Sequence, residues 1–158
     1  MFDAAINLFD VPAEKYMNLF LQSPLSKRFG EGDPFVVWGK SGIEIAFDIL
    51  GKNREDYLKA IEEKGTKEGL SEEYWAGWAL AYYQWKSGKT FQEINEKIPF
   101  TSIINMYHPY HEMDILQFCD RMEETFEDIT EGKRISAEIK AGKQKVYTSE
   151  EARKELGL

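Results

Sequence analysis

The chain is poor in the residues that build covalent or metal frameworks: one cysteine, two histidines and five prolines in 158 residues. A single Cys119 excludes an internal disulfide and points to a reducing, cytoplasmic setting. No run of the sequence approaches the roughly 20 apolar residues of a membrane helix. The first ten residues lack a basic start and carry Asp3 and Asp10, so no signal peptide is expected. Positive charge is also short, with 20 Lys and Arg against 28 Asp and Glu and a net charge of −8. Gripping phosphates requires clustered Lys and Arg, so direct nucleic-acid binding is not expected. Internal repeats and low-complexity segments are absent. What the chain does have is apolar mass: 42% hydrophobic and 14% aromatic residues, ample for a core and against global disorder.

The apolar mass is densest in Tyr74-Trp75-Ala76-Gly77-Trp78-Ala79-Leu80-Ala81-Tyr82-Tyr83-Gln84-Trp85, which holds three of the four tryptophans. On a helix Trp75, Trp78, Tyr82 and Trp85 share a face, while Tyr74, Leu80, Ala81 and Tyr83 put apolar atoms elsewhere. A helix apolar all round is surrounded by protein, so residues 72–86 are expected to form the buried centre of a core. The four rings of the shared face are expected inside it as packing rather than as a cation-binding cage. Some tyrosine hydroxyls must still reach the surface for partners.

The rest of the pattern is helical. Residues 10–22 and 43–50 read as helices, the second stopped by Gly51, and Asn53 caps another that ends near Gly65. The turn residues Gly30-Glu31-Gly32-Asp33-Pro34 break the chain, and 35–38 reads as an extended lead-in or a first helical turn. Ser71 caps the aromatic helix, and Glu72 and Glu73 favour its positive end. Thr90 with Glu93 forms a capping box for 90–98, Pro99 ends that helix, and 101–106 is a short helix or turn. Residues 111–129 form a long amphipathic helix with the stripe Ile115, Phe118, Cys119, Met122, Phe126 and Ile129. A weaker helix follows at 135–141, and Thr148 to Glu151 spell another capping box.

Charge is uneven along the C-terminal part. Residues 112–131 carry eight acids against Arg121 alone, a net of −7, whereas 132–158 carry seven bases against four acids, a net of +3. Between Glu131 and Thr148 the large apolar residues are only Ile135, Ile139, Val146 and Tyr147, too few to bury much unaided.

No constellation spells a reaction. Gly39-Lys40-Ser41 has the lettering of a P-loop end, but the glycine required five residues earlier is Pro34, which has no N–H. Ser41 is instead expected near a helix cap. His108, His111, Glu112 and Asp114 lie close in sequence, yet the histidines are spaced i, i+3 rather than i, i+4 and no third exists. Cys119 sits in an apolar stripe, where a thiol is protonated and inert. The acids lie on an outer helix face rather than in a cleft. No catalytic residue, metal or cofactor is expected.

The run from Ser71 to Trp85, followed by Gly88 and Thr90-Phe91-Gln92-Glu93-Ile94, resembles a poorly characterised domain of Gram-positive gut bacteria. So do Val37-Trp38-Gly39-Lys40-Ser41-Gly42 and Met106-Tyr107-His108-Pro109-Tyr110-His111-Glu112-Met113-Asp114-Ile115. In that family the domain precedes a repressor-type helix-turn-helix and is encoded beside toxin–antitoxin genes. The resemblance covers about residues 35–122. It carries no catalytic assignment, and the remaining tail is too short for a helix-turn-helix domain. In its place, 143–158 looks like the partner-wrapping tail of many small antitoxins.

Taken together these features lead to an all-α protein. A single compact helical domain, residues 1–130, is expected around the buried aromatic helix, with 131–158 as a basic arm, weakly structured or ordered by a partner. The expected function is non-enzymatic protein binding, antitoxin-like or accessory to a toxin–antitoxin-type operon. A toxin-like partner would be met through Glu123, Glu124, Glu127 and Asp128 on the acidic helix, or Lys145, Val146, Tyr147 and Leu156 on the arm. A homodimer is compatible with this. Two alternatives stand beside it: an acidic inhibitor of phage or mobile-element origin that mimics DNA, and a small ligand-binding or enzyme domain using the turn from His108 to Asp114.

Overall fold

Most helices start where a side chain accepts from their free N–H groups, and most stop at a residue that leaves helical geometry. The computed structural model describes residues 1–65, 69–143 and 153, and every regular element among them is helical. The chain divides into two compact units, Met1–Met122 and Glu123–Leu158.

In the first unit a π-helical turn, Ala4–Leu8, leads into α1 (Ala13–Gln22), α2 (Pro24–Gly30), α3 (Pro34–Val37), α4 (Gly42–Leu50) and α5 (Arg54–Lys64). These are followed by α6 (Glu72–Ser87), α7 (Phe91–Lys97), α8 (Phe100–Ile104), the short turn α9 (Tyr107–Tyr110) and the start of α10 (Ile115–Lys140). The caps fall where the sequence puts them. Ser41 and Glu44, and Thr90 and Glu93, close reciprocal capping boxes, and Asn53 caps α5. Ser71 Oγ accepts the Tyr74 N–H at 3.0 Å, and Gly51 and Gly88 end α4 and α6 at φ +64° and +68°, where a Cβ would be strained.

Two boundaries differ from expectation, and one open alternative is resolved. Residues 10–22 become helical only at Ala13, because Pro12 is extended (ψ 139°). Of the two alternatives for 35–38 the structure has the helical turn: Pro34 occupies the first turn and Asp33 Oδ1 accepts the Phe35 N–H at 2.9 Å. The long acidic helix starts not at His111 but at Ile115, where Asp114 Oδ1 accepts the Leu116 N–H at 2.8 Å. It then runs unbroken to Lys140, so the expected separation between 111–129 and 135–141 is absent. Gly132 costs an exposed helix only about 1 kcal/mol. Arg134 offsets part of that by bonding Glu131 and Glu138, each at 2.6 Å, one turn either side.

The hub of the first unit is α6, packed against α2, α8 and α9. Its buried face is Trp75, Ala76, Ala79, Leu80, Tyr83 and Gln84, not the four-ring face the spacing suggested. Trp75 is enclosed, with Phe118 and Tyr107 edge-on at 5.3 and 5.7 Å. Trp78 is 49% exposed and Trp85 82% exposed, so the expectation that these rings pack inside is overturned. The cause is the small residues. Ala76 and Ala79 let neighbouring elements approach α6 closely, and at Gly77 a Cβ would lie 3.0 Å from the Phe2 ring. Phe2 is in turn stacked on Phe100 at 4.0 Å and meets the Tyr16 ring edge-on at 5.2 Å. Tyr16 is fully buried, and its hydroxyl has no hydrogen-bond partner among the described residues. The second unit contains the rest of α10, on which Phe126 and Ile129 are half-buried. No described helix is long and apolar enough to cross a membrane.

Candidate interaction cleft

The exposed rings of α6 border a cleft of about 280 Å³. Its floor is Phe2, Leu80 and Phe91, all buried. Tyr74 and Trp78 of α6 and Val37 of α3, all exposed, line it as well. Tyr74 and Trp78 face outward because they lie one turn apart, on the side of α6 opposite Ala76 and Leu80. Val37 is held outward because its neighbour Val36 is the buried residue of α3. The same turn presents Phe35 and Trp38, 78% and 88% exposed.

The charged lining groups are two carboxylates, Asp3 and Glu73, and two basic groups, Lys40 and the Met1 amine. Asp3 and Glu73 both line the cleft and share one donor: Asn7 Nδ2 bonds Asp3 Oδ1 at 3.0 Å and Glu73 Oε2 at 2.9 Å. Ser71 Oγ also donates to Asp3 Oδ1, at 2.6 Å. These neutral donors position the carboxylates without cancelling their charge. Asp3 Oδ2 and Glu73 Oε1 accept no hydrogen bond from the described residues. The one lysine in the lining, Lys40, is paired with Asp48. The Met1 amine lines the cleft as well; burial lowers its pKa, and Asp3 opposes that shift.

The residues singled out from sequence fall elsewhere. Glu124, Glu127 and Asp128 are exposed and Glu123 is half-buried, all on the part of α10 in the second unit. Glu124, Glu127 and Asp128 share a face by their i, i+3, i+4 spacing. Lys145, Val146, Tyr147 and Leu156 lie outside the described residues. The turn from His108 to Asp114 is largely exposed, with only Tyr110 and His111 half-buried. The His111 ring stacks on Tyr107 at 4.0 Å, its Nδ1 is 2.9 Å from the Tyr107 carbonyl oxygen, and the His108 ring meets it edge-on. No group of three His, Cys, Asp or Glu side chains among the described residues is placed to hold a metal ion. Cys119 is buried, and burial pushes its thiol pKa up. Ser41 closes a helix cap with Glu44 rather than facing a phosphate.

Sequence reasoning missed the cleft itself. Phe2 and Asp3 come from a segment with no helical periodicity, and the sequence pattern places Trp78 in the core. The available signal was Gly77 between two tryptophans, a position where another element can approach closely. No protein-family model, curated protein or solved structure matches this chain.

Proposed function

We propose that the protein is a non-enzymatic interaction protein that holds a partner protein against the aromatic surface of its first unit. The observation that carries this is the exposure of large rings: Trp38 at 88%, Trp85 at 82% and Phe35 at 78%. Leaving such a ring in water forgoes about 1.5–3 kcal/mol of burial free energy, and aromatic side chains are the commonest anchors of protein interfaces. The resemblance over residues 35–122 suggests a toxin-like partner, with this chain as the antitoxin-like or accessory component. The test is co-expression with the product of the adjacent gene, followed by co-purification with the wild-type protein and a Trp78→Ala, Trp85→Ala double variant. Loss of the partner from a folded variant supports the reading, and full retention refutes it.

A second reading rests on the acidic face of α10, where Glu124, Glu127 and Asp128 are exposed together. A DNA mimic would bind a nucleic-acid enzyme through that face, with affinity that collapses as salt rises. Salt-insensitive binding, or binding that survives charge reversal at those three positions, would exclude it.

A further inference from the structure

The cleft beside α6 is apolar along its walls and anionic where Asp3 and Glu73 meet, which is the complement of a long alkyl chain ending in a cation. We propose that it receives a lysine side chain from the partner. The methylenes lie against Phe2, Tyr74 and Trp78, and the ammonium donates to Asp3 Oδ2 and Glu73 Oε1. The inference rests on the interaction role proposed above and specifies the chemistry of the anchor.

Three features support a cation rather than an apolar knob. First, two carboxylates line the same cleft and are fixed by neutral donors, Asn7 Nδ2 to both and Ser71 Oγ to Asp3. An apolar anchor would have to cover that charge without compensating it, which is costly. Second, of the two basic groups in the lining, Lys40 is committed to Asp48, outside it, and burial disfavours the charged form of the Met1 amine. Third, Tyr74 and Trp78 line the cleft, and aromatic rings of this kind attract ammonium groups. An ammonium has three donors, enough for both free carboxylate oxygens with one left for water.

The experiment uses the full chain and three blocked pentapeptides that differ at the central residue: GLKLG, the norleucine analogue and GLELG. Binding is followed by the Trp78 indole N–H resonance, assigned with Trp78→Phe. The lysine peptide should shift that resonance saturably and bind about tenfold more tightly than the norleucine analogue. Glu73→Gln, which keeps an acceptor for Asn7, should reduce that preference. Norleucine binding as tightly as lysine, a stronger response to the glutamate peptide, or no Trp78 shift with the lysine peptide would each overturn the proposal. If the norleucine and lysine peptides bind equally while Trp78→Ala, Trp85→Ala still releases the partner, the interaction role stands and the lysine assignment falls. If the double variant keeps its partner, the interaction role itself falls.

Discussion

The inward face of α6 is Trp75 rather than Trp85, and two single substitutions separate these arrangements. Trp75 is 8% exposed, with Tyr107 and Phe118 edge-on against its ring. Truncating an enclosed tryptophan to alanine removes its transfer free energy and leaves a cavity, so Trp75→Ala should cost about 3–5 kcal/mol. In a chain of this size that lowers Tm by roughly 6–20 °C. Trp85 is 82% exposed, and its substitution creates no cavity. Trp85→Ala should therefore stay within about 0.5 kcal/mol of wild type, or roughly 2 °C. The gap between the two variants, about 3 kcal/mol or more, far exceeds the error of a urea titration followed by far-UV circular dichroism. A Trp85→Ala loss comparable to that of Trp75→Ala would mean that the four-ring face is buried after all. The packing described for Gly77 and Phe2 would then be wrong.

Three further outcomes follow from the packing and the caps. Tyr16→Phe should be neutral or stabilising by up to about 1 kcal/mol, because it removes a buried hydroxyl with no partner. Burial raises the Tyr16 pKa above its ordinary 10.0, so the unfolded chain loses that proton first. The wild type should lose stability as pH climbs beyond about 10, and Tyr16→Phe should lose less across an alkaline denaturation series. Gly132→Ala should raise helix content and stabilise by about 0.5–1 kcal/mol if α10 is continuous there, whereas a loss would indicate a break. The Thr90 N–H and hydroxyl hold the Glu93 pKa below its ordinary 4.5. Its contribution is present above 4.5 and disappears as pH falls through the lower folded-state value, so Glu93→Gln should show a shallower acid limb in pH-dependent melts.

The helix ends were legible because capping is local. Ser41 with Glu44, Asn53, Ser71, and Thr90 with Glu93 each satisfy N–H groups within three residues of themselves. The orientation of α6 was not legible, because a helix apolar on every side carries no internal indication of which side faces the core. Small residues decided it: Ala76, Ala79 and Gly77 admit close neighbours, and Phe2 reaches Gly77 from 75 positions earlier in the chain. The cleft was hidden as well, since Asp3 precedes and Asn7 lies within a π-helical turn that no 3.6-residue pattern reveals. The acidic face of α10 was legible from composition alone. Its continuation to Lys140 was not, because Gly132 suggests a stop where the flanking charges instead sustain the helix.

The most direct test of the central claim is isothermal titration of the adjacent gene product into the full chain and into its Trp78→Ala variant. Trp78 keeps about half its surface buried, so the variant should lose about 2–3 kcal/mol of stability and still fold. An interface anchor is worth about 2 kcal/mol or more, so its affinity should fall roughly 30-fold or further. An unchanged Kd in a normally folded variant would contradict the account and turn attention to the acidic face of α10.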